Sequence, residues 1–421
     1  MEQVSVSSPN ARACFKCSTY LIPFSSGCFK NIELNVERSI LYYLNKIILN
    51  FRNIKIFTFC VEKIDLKYIY NYIIINMSNN KKKLGQFYTT NYEYILQAMS
   101  IPDSITNIIE PFAGNGDLVG FIKKNSSDYN VECYDIEPKK DYITKRDTLK
   151  NPPNYKDKYV ITNPPYLARN KSKDKKFFDK YDVNDLFKCF IKELITNICL
   201  GGIIIIPLNF WSSIRQNDIE LRKTFLKKYS IILINIFEES VFDDTSYTIC
   251  AVQFELKTES SLNNIRIIVY PSKIEINTVL CDDNNYMIGG DIYNMKLKNT
   301  YKITRLTSKN IDKINTNIVV KCIDDNSSNQ IGLSYVSDSD IYVDDTPNQT
   351  ARTYATLVIE PAIDENKQKE LVIKFNKFLD ERRKKYNSLF LTNYRESKDI
   401  ARKRISFDLV YLIVGYLLEN D

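Results

Sequence analysis

Short apolar runs alternate with longer mixed stretches between residues 80 and 255. Each run has the length of one buried strand, whereas residues 184–199 repeat apolar side chains at the three- and four-residue spacing of a helix. Strands that alternate with helices form a parallel sheet that is covered on both faces. The pattern therefore predicts an α/β domain with a doubly wound sheet. Its predicted strands are residues 107–110, 131–135, 159–162, 202–206, 231–237 and 248–255.

The alternation fades after residue 255. We therefore predict two domains, an α/β domain over residues 77–255 and a C-terminal α+β domain with terminal helices over residues 256–421. The elements expected in the second domain include a strand at 264–271 and helices at 365–386 and 404–419.

Residues 1–76 differ in character from the rest of the chain, and "MSNNKKKLGQFYTT" from Met77 reads like a native N-terminus. We expect residues 1–76 to be an extension of uncertain role that the chemistry does not need. Cys14, Cys17 and Cys28 lack a second close cysteine pair and a histidine, so no metal site is predicted there or elsewhere.

The amino-acid composition excludes several classes of function. The 421 residues include no histidine, which excludes imidazole as a base, a nucleophile or a metal ligand. The net charge of +7 permits a nucleic-acid partner. Neither a secretory leader nor an apolar run long enough for a bilayer is visible. We expect a reduced, intracellular protein without a membrane partner, in the cytoplasm or in a viral factory.

The segment "NIIEPFAGNGDLVGFI" at 107–122 predicts a strand, a tight turn and the start of a helix. Gly114 and Gly116 would allow the backbone to approach a ligand closely, although an ordinary strand–helix turn has the same pattern. Asp135 ends the next strand, at the spacing of the acidic residue that binds ribose hydroxyls in nucleoside-binding sheets. Asp147 follows at the edge where an adenine ring would need an acceptor; capping a helix is the alternative role.

"VITNPPY" places Asn163, Pro164, Pro165 and Tyr166 at the carboxyl end of a predicted strand. Ligand chemistry in doubly wound sheets lies at this end. Another Asn-Pro-Pro at residues 151–154 follows a polar segment, and we interpret it as a plain turn. The copy that begins at Asn163 is therefore the predicted site.

Together, these segments resemble the S-adenosylmethionine-dependent DNA adenine-N6 methyltransferases of the restriction–modification type. The order fits the subgroup whose catalytic region precedes its target-recognition domain, because "GQFYTT" at 85–90 lies before the glycine turn. The resemblance covers residues 80–255, and beyond 256 it depends on layout. It implies a Rossmann-like methyltransferase sheet, S-adenosylmethionine as cofactor and a target-recognition domain over 256–421.

The resemblance also implies a role for each motif residue. The segment at 241–255 resembles the one that offers an aromatic side chain from the opposite side of the target base, with Phe242 preferred and Tyr247 in reserve. The implied cofactor-binding residues are Thr89 near the methionine end, Glu110, Gly114 and Gly116 in the first loop, Asp135 and Asp147, and the implied catalytic residues are Asn163, Pro164, Pro165, Tyr166 and Phe242.

These residue types suit methylation of an amino group. The Asn163 side-chain oxygen and the Pro164 carbonyl would each accept one N–H of the target, which is positioning and electrostatic stabilisation without an imidazole. The rigid prolines would fix that carbonyl. Tyr166 would stack on a base that has left the duplex. The basic segment 169–180 would contact phosphates, although it also reads as a solvated loop.

Two other substrates remain open for the same motif. Protein glutamine-N5 methyltransferases also use Asn-Pro-Pro-Tyr, but they carry their accessory domain before the catalytic one, and RNA adenine-N6 is the second alternative. The expected partner is double-stranded DNA, bound by a monomer. A cognate restriction endonuclease, as a separate protein, is the further partner that the resemblance suggests.

Overall fold

The computed structural model describes residues 89–242, 247–258, 262–325, 330–345, 353–396 and 401–420, all within the unit formed by residues 77–421. The extension at 1–76, most of "GQFYTT" and the lysines at 81–83 lie outside the described residues.

A large mixed sheet occupies the first part of this unit. Within the described residues it contains nine strands in the order β3-β2-β1-β4-β5-β7-β6-β8-β9. Six of the seven predicted strands match these strands to within one residue at each end, and the seventh, β6, starts two residues earlier than predicted. The strands are β1 Asn107–Glu110, β2 Asn130–Asp135, β3 Thr144–Lys145, β4 Tyr159–Thr162, β5 Gly201–Pro207, β6 Tyr229–Phe237, β7 Ile249–Leu256, β8 Asn263–Tyr270 and β9 Ile274–Leu280.

Strands β1 to β5 run parallel to one another. All four residues of β4 and all seven of β5 are buried. Such strands read as continuous apolar runs because both faces of the sheet are covered. The predicted α/β class is confirmed for this part of the chain, and the doubly wound arrangement stays a prediction.

The prediction that the whole sheet is parallel was wrong. Strand β7 lies between β5 and β6 and is antiparallel to both. The connection between β6 and β7, residues 238–248, is too short for the crossover that two parallel neighbours require. The antiparallel strand follows from the length of this connection.

Five helices belong to this part of the chain within the described ranges. Helix α4 begins two residues after the start of the predicted helix at 184–199 and ends three residues before its end. The helices are α1 Tyr92–Ile95, α2 Asp117–Asn125, α3 Lys176–Tyr181, α4 Leu186–Thr196 and α5 Gln216–Lys228.

Strands β8 and β9 continue the large sheet beyond residue 256. The large sheet therefore crosses the predicted boundary at 255/256 and extends to Leu280. The division of the chain into two domains at this boundary stays a prediction.

A second sheet follows, with the order β10-β13-β11-β12. Helices at 365–386 and 407–419 confirm the two helices predicted near the C-terminus. Asp325, in the loop after the strand that ends at Lys321, forms an ion pair at 2.7 Å with Arg383 of the longer helix. The elements are β10 Lys302–Arg305, β11 Ile318–Lys321, β12 Gly332–Tyr335, β13 Tyr354–Glu360, α6 Glu365–Tyr386, the hairpin β14 Thr392–Glu396 and β15 Ala401–Arg404, and α7 Phe407–Glu419.

None of the helices in the described ranges has the length and apolar character needed to cross a bilayer.

Candidate active site

The strand order of the large sheet reverses between β1 and β4, and ligands bind outside the carboxyl ends of strands at such a point. A cleft lies there. Its walls include Glu110 at the end of β1, Asp135 at the end of β2 and Asn163 directly after β4. Residues predicted separately from three motifs therefore line one cavity.

The glycine turn after β1 has the backbone that the sequence predicted. Gly114 and Gly116 have φ angles of +53° and +81°, in the left-handed region that favours glycine. The Gly114 N–H donates to Asp135 Oδ2 at 2.8 Å, and Asp135 Oδ1 accepts the Glu137 N–H at 2.7 Å. The first of these hydrogen bonds fixes the position of the Asp135 carboxylate relative to the glycine turn. Each carboxylate oxygen keeps a second lone pair.

Glu110 is fully buried in the wall of the cleft. Its Oε1 atom accepts the Phe112 N–H at 3.2 Å and the Thr162 hydroxyl. Its Oε2 atom is buried and has no hydrogen-bond partner in the described part of the chain. Burial raises the pKa of Glu110 to about 8, although the hydrogen bonds from Thr162 and Phe112 act in the opposite direction. A cationic group in the cleft would satisfy this oxygen and favour its ionised form.

Asn163 connects two of the predicted motifs. Its Nδ2 atom donates to Thr89 Oγ1 at 3.1 Å, across 74 residues of sequence. Its Oδ1 atom lies 2.5 Å from the Tyr166 hydroxyl, which is also 2.7 Å from the Ile205 carbonyl oxygen. Burial raises the pKa of Tyr166 well above its usual value, so the hydroxyl keeps its proton. One hydroxyl hydrogen serves two acceptors, so Asn163 Oδ1 is not permanently saturated.

The two prolines after Asn163 differ in exposure. Pro164 is buried, whereas Pro165 is half-buried and lines the cleft. No donor within the described residues binds the Pro164 carbonyl oxygen. The Pro164 carbonyl oxygen is therefore an acceptor without a described donor, directly after Asn163 in sequence.

The aromatic residues predicted to hold a base are packed together. Tyr166 is 3% exposed, and its ring makes edge contacts with Phe187 and Tyr247 at 6.1 and 6.4 Å. Phe242 is 6% exposed and belongs to the apolar core. Stacking of Tyr166 on a base therefore stays a prediction, and it requires the ring to become exposed. The choice between Phe242 and Tyr247 also stays open.

Asp147 lines the cleft and also caps a turn. Its Oδ1 atom accepts the Lys150 N–H at 3.1 Å. Its side chain therefore caps a turn while the residue also has a place in the cavity wall. Its contact with an adenine ring stays a prediction.

The Asn-Pro-Pro at 151–154 is more than a plain turn. Arg146, a residue of the cleft wall, donates from Nε to the Asn151 carbonyl at 2.8 Å and from Nη2 to the Pro152 carbonyl at 2.9 Å. Its guanidinium lies 5.2 Å from the centre of the Tyr134 ring. The turn therefore fixes a cation at the edge of the cleft, which the sequence reading missed.

The basic segment 169–180 has two sides. Lys171, Lys173, Lys175 and Lys176 are exposed, and Arg169 pairs with Asp179 at 2.6 Å. Its other side contributes wall residues that the reading of the sequence did not assign. The sequence does contain one signal of this covered side, since Phe177 is an aromatic residue within a run of lysines. The wall residues from this segment and the helix after it are Ser172, Asp174, Phe177, Phe178 and Leu186.

Within the described ranges, no group of three or more histidine, cysteine, aspartate or glutamate side chains is arranged to hold a metal ion. The six cysteines of these ranges are unbridged, and five of them are buried.

No protein-family model and no curated protein matches this chain. Solved structures with partial similarity include the type I restriction–modification methyltransferase subunit from Streptococcus thermophilus, with 16% identity over 53% of this chain and 56% of that one, and a TM-score of 0.35. The M protein of the type I restriction enzyme EcoKI is 15% identical over 46% and 50%, with a TM-score of 0.33. The DrdV–DNA complex is 16% identical over 51% and 32%, with a TM-score of 0.36. The aligned part spans about half or less of each of these chains.

Proposed function

We propose that this protein transfers a methyl group from S-adenosylmethionine to the N6 amino group of adenine in double-stranded DNA. The observation that carries the proposal is the position of Asn163 in the same cleft as Glu110 and Asp135. An amide acceptor for an amino group thus lies beside acidic groups suited to a cationic nucleoside.

The cleft fits S-adenosylmethionine in charge and in hydrogen-bonding capacity. Glu110 Oε2 is a buried carboxylate oxygen without a described partner, and it would accept the ammonium group of the cofactor. Asp135 would bind the ribose hydroxyls, and Asp147 would accept from the adenine amino group. When bound, the cofactor supplies a methyl group that is already activated on a sulfonium sulfur. Thr89 would lie near its methionine end, held by Asn163.

Asn163 and Pro164 would orient the target amino group. Its nitrogen is a poor nucleophile because its lone pair is conjugated with the ring. Two fixed acceptors, Asn163 Oδ1 and the Pro164 carbonyl, would take its two N–H groups and favour a pyramidal nitrogen. Pro165 would keep this turn rigid. Because an amide oxygen has two lone pairs, Asn163 Oδ1 could accept from the substrate in addition to the Tyr166 hydroxyl.

DNA is the substrate that the surroundings of the cleft favour. Five exposed lysines, Lys180 included, lie on the segment whose other side lines the cavity, and such charges suit phosphate contacts. The target base would leave the duplex to reach the cleft, with Tyr166 and either Phe242 or Tyr247 as stacking partners. Residues 256–421 would recognise the target sequence, and a restriction endonuclease would act as a separate protein.

The experiment is transfer of tritium from labelled S-adenosylmethionine to duplex DNA, to RNA and to protein in parallel reactions. We expect label in DNA. Asn163→Ala should lower the rate about 100-fold or more, the size of effect seen when one preorganised hydrogen-bonding group is lost. Asn151→Ala, in the other Asn-Pro-Pro, is the matched control, because its side chain is exposed. Label found only in RNA or only in protein would contradict the proposal.

A further inference from the structure

The residues directly after the catalytic turn pair with the start of helix α4. The Leu167 N–H donates to Asp185 Oδ1 at 3.0 Å, and the Leu186 N–H donates to the Leu167 carbonyl at 3.2 Å. Ala168 and Asp185 form an isolated antiparallel bridge. A side-chain carboxylate therefore holds the backbone one residue after Tyr166.

Asp185 is 8% exposed and lies in a buried ionic group. Lys188, on the same helix, pairs with Asp218 of helix α5 at 2.5 Å. The other titratable groups that face Asp185 are Tyr166 beside the turn and Cys189 on α4, whose Sγ donates to the Asp185 carbonyl at 3.7 Å. The carboxylate thus accepts from the Leu167 N–H and lies near the charge of Lys188, which is itself fixed by Asp218 of α5.

We propose that Asp185 is a positioning residue, whose carboxylate fixes the direction of the turn that presents Asn163 Oδ1 and the Pro164 carbonyl. The proposal rests on the proposed function, since these two acceptors are the groups that Asp185 would align. Displacement of reacting groups by about 1 Å can lower a rate about 100-fold, so loss of one backbone anchor is expected to reduce the chemical step more than binding.

The same residue would give a protein without histidine a pH response near neutrality. Burial raises the pKa of Asp185 to about 6, while the Lys188 ammonium and backbone N–H groups oppose the rise. An ionised carboxylate accepts a hydrogen bond more strongly than a neutral one. The hydrogen bond from the Leu167 N–H to Asp185 is therefore weak below pH 6 and strong above it. The rate of methyl transfer should consequently increase as pH rises from 5 to 7.

The test compares single-turnover rates at saturating cofactor for three variants. Asp185→Ala loses the acceptor and should lower the rate about tenfold, equivalent to one hydrogen bond of about 1.4 kcal/mol, with unchanged cofactor and DNA affinity. Asp185→Asn keeps a neutral oxygen at every pH, so its rate at pH 8 should be close to that of the wild type at pH 5, without the rise between pH 5 and 7. Asp282→Asn removes an exposed carboxylate that is paired with Lys223, and it should keep the wild-type profile. A wild-type rate in Asp185→Ala would overturn the proposal. So would a rate of Asp185→Asn that still rises between pH 5 and 7 as the wild-type rate does.

Hydrogen exchange at the Leu167 amide separates this proposal from the proposed function, because it needs no substrate. We expect exchange at least tenfold faster in Asp185→Ala than in the wild type, with the amides of β4 unchanged. Equal exchange in the two proteins would overturn the anchoring role even if methylation is observed. Faster exchange in a protein that methylates no DNA would contradict the proposed function and support the anchor.

Discussion

The Asn163 side chain donates a hydrogen bond to Thr89 Oγ1 at 3.1 Å, although 74 residues separate the two in sequence. Thr89 belongs to the segment before the glycine turn, and Asn163 begins the turn after β4. The bond therefore joins the predicted cofactor-binding segment to the predicted catalytic motif. It also restrains the Asn163 amide, whose oxygen would accept from the substrate in the proposed function.

Replacing Thr89 with valine keeps the shape of the side chain and removes the hydroxyl. The Asn163 amide would lose a partner worth about 1 kcal/mol, so the single-turnover rate should fall about fivefold. Thr90→Val is the matched control because Thr90 is exposed. Equal rates for the two variants would show that the contact does not orient Asn163.

Cofactor binding should release protons below pH 8. The pKa of Glu110 is raised to about 8 by burial, so the free protein holds this carboxyl largely protonated at pH 7. A bound cation would favour the ionised form and expel the proton, and affinity should increase as pH rises towards 8. Calorimetry in buffers of different ionisation enthalpy measures this release. Glu110→Gln should bind more weakly and release no proton; release of the same size from this variant would exclude Glu110 as its source.

The same carboxyl should make the free protein less stable as pH rises. The folded pKa of Glu110 is raised above its ordinary value of 4.5 to about 8. The folded state therefore binds an extra proton between these values, so this contribution is complete below pH 4.5 and disappears as pH passes 8. The difference in melting temperature between Glu110→Gln and the wild type should grow in favour of the variant from pH 5 to 9. A constant difference across this range would refute the predicted linkage.

Alanine at position 116 should weaken cofactor binding and lower stability. The φ angle of +81° costs a non-glycine residue about 1–2 kcal/mol, and an added Cβ would lie 2.0 Å from the Tyr142 hydroxyl. Thermal denaturation and cofactor titration measure both effects. Combining Gly116→Ala with Tyr142→Phe removes the nearest clash but keeps the strained φ, so it should restore only part of the loss. Full restoration would mean that the backbone conformation is unimportant.

The exposed lysines of segment 169–180 should determine how DNA affinity depends on salt. Changing Lys171, Lys173, Lys175 and Lys176 to glutamine removes up to four phosphate contacts. The slope of log affinity against log salt should then become shallower by up to about 3.6, at about 0.9 per contact. Cofactor affinity without DNA serves as the control and should not change. An unchanged slope would place the DNA on another surface.

Continuous apolar runs made most of the fold predictable. Residues 107–110 and 159–162 coincide with β1 and β4, because a strand buried on both faces leaves no polar break within the run. Strand β3 has only two residues, both exposed, and it carries too little apolar sequence to be recognised. The antiparallel course of β7 depends on the length of a connection, which periodicity does not report.

The candidate site also contains residues that the sequence predicted and residues that it did not. Glu110, Asp135 and Asn163 were predictable because strand ends place them at one edge of the sheet. Arg146 and Asp185 were not, since their importance comes from contacts with carbonyl and N–H groups that the sequence does not display. Such tertiary hydrogen bonds leave no periodic signal.

The most direct test of the central proposal is the identity of the methylated nucleoside. Duplex DNA incubated with the protein and S-adenosylmethionine is digested to nucleosides and analysed by mass spectrometry. We predict N6-methyladenine with the wild type and with Asn151→Ala, and an amount lower by about 100-fold or more with Asn163→Ala at the same reaction time. Methylated cytosine in place of N6-methyladenine, or N6-methyladenine at the wild-type level from Asn163→Ala, would contradict the account.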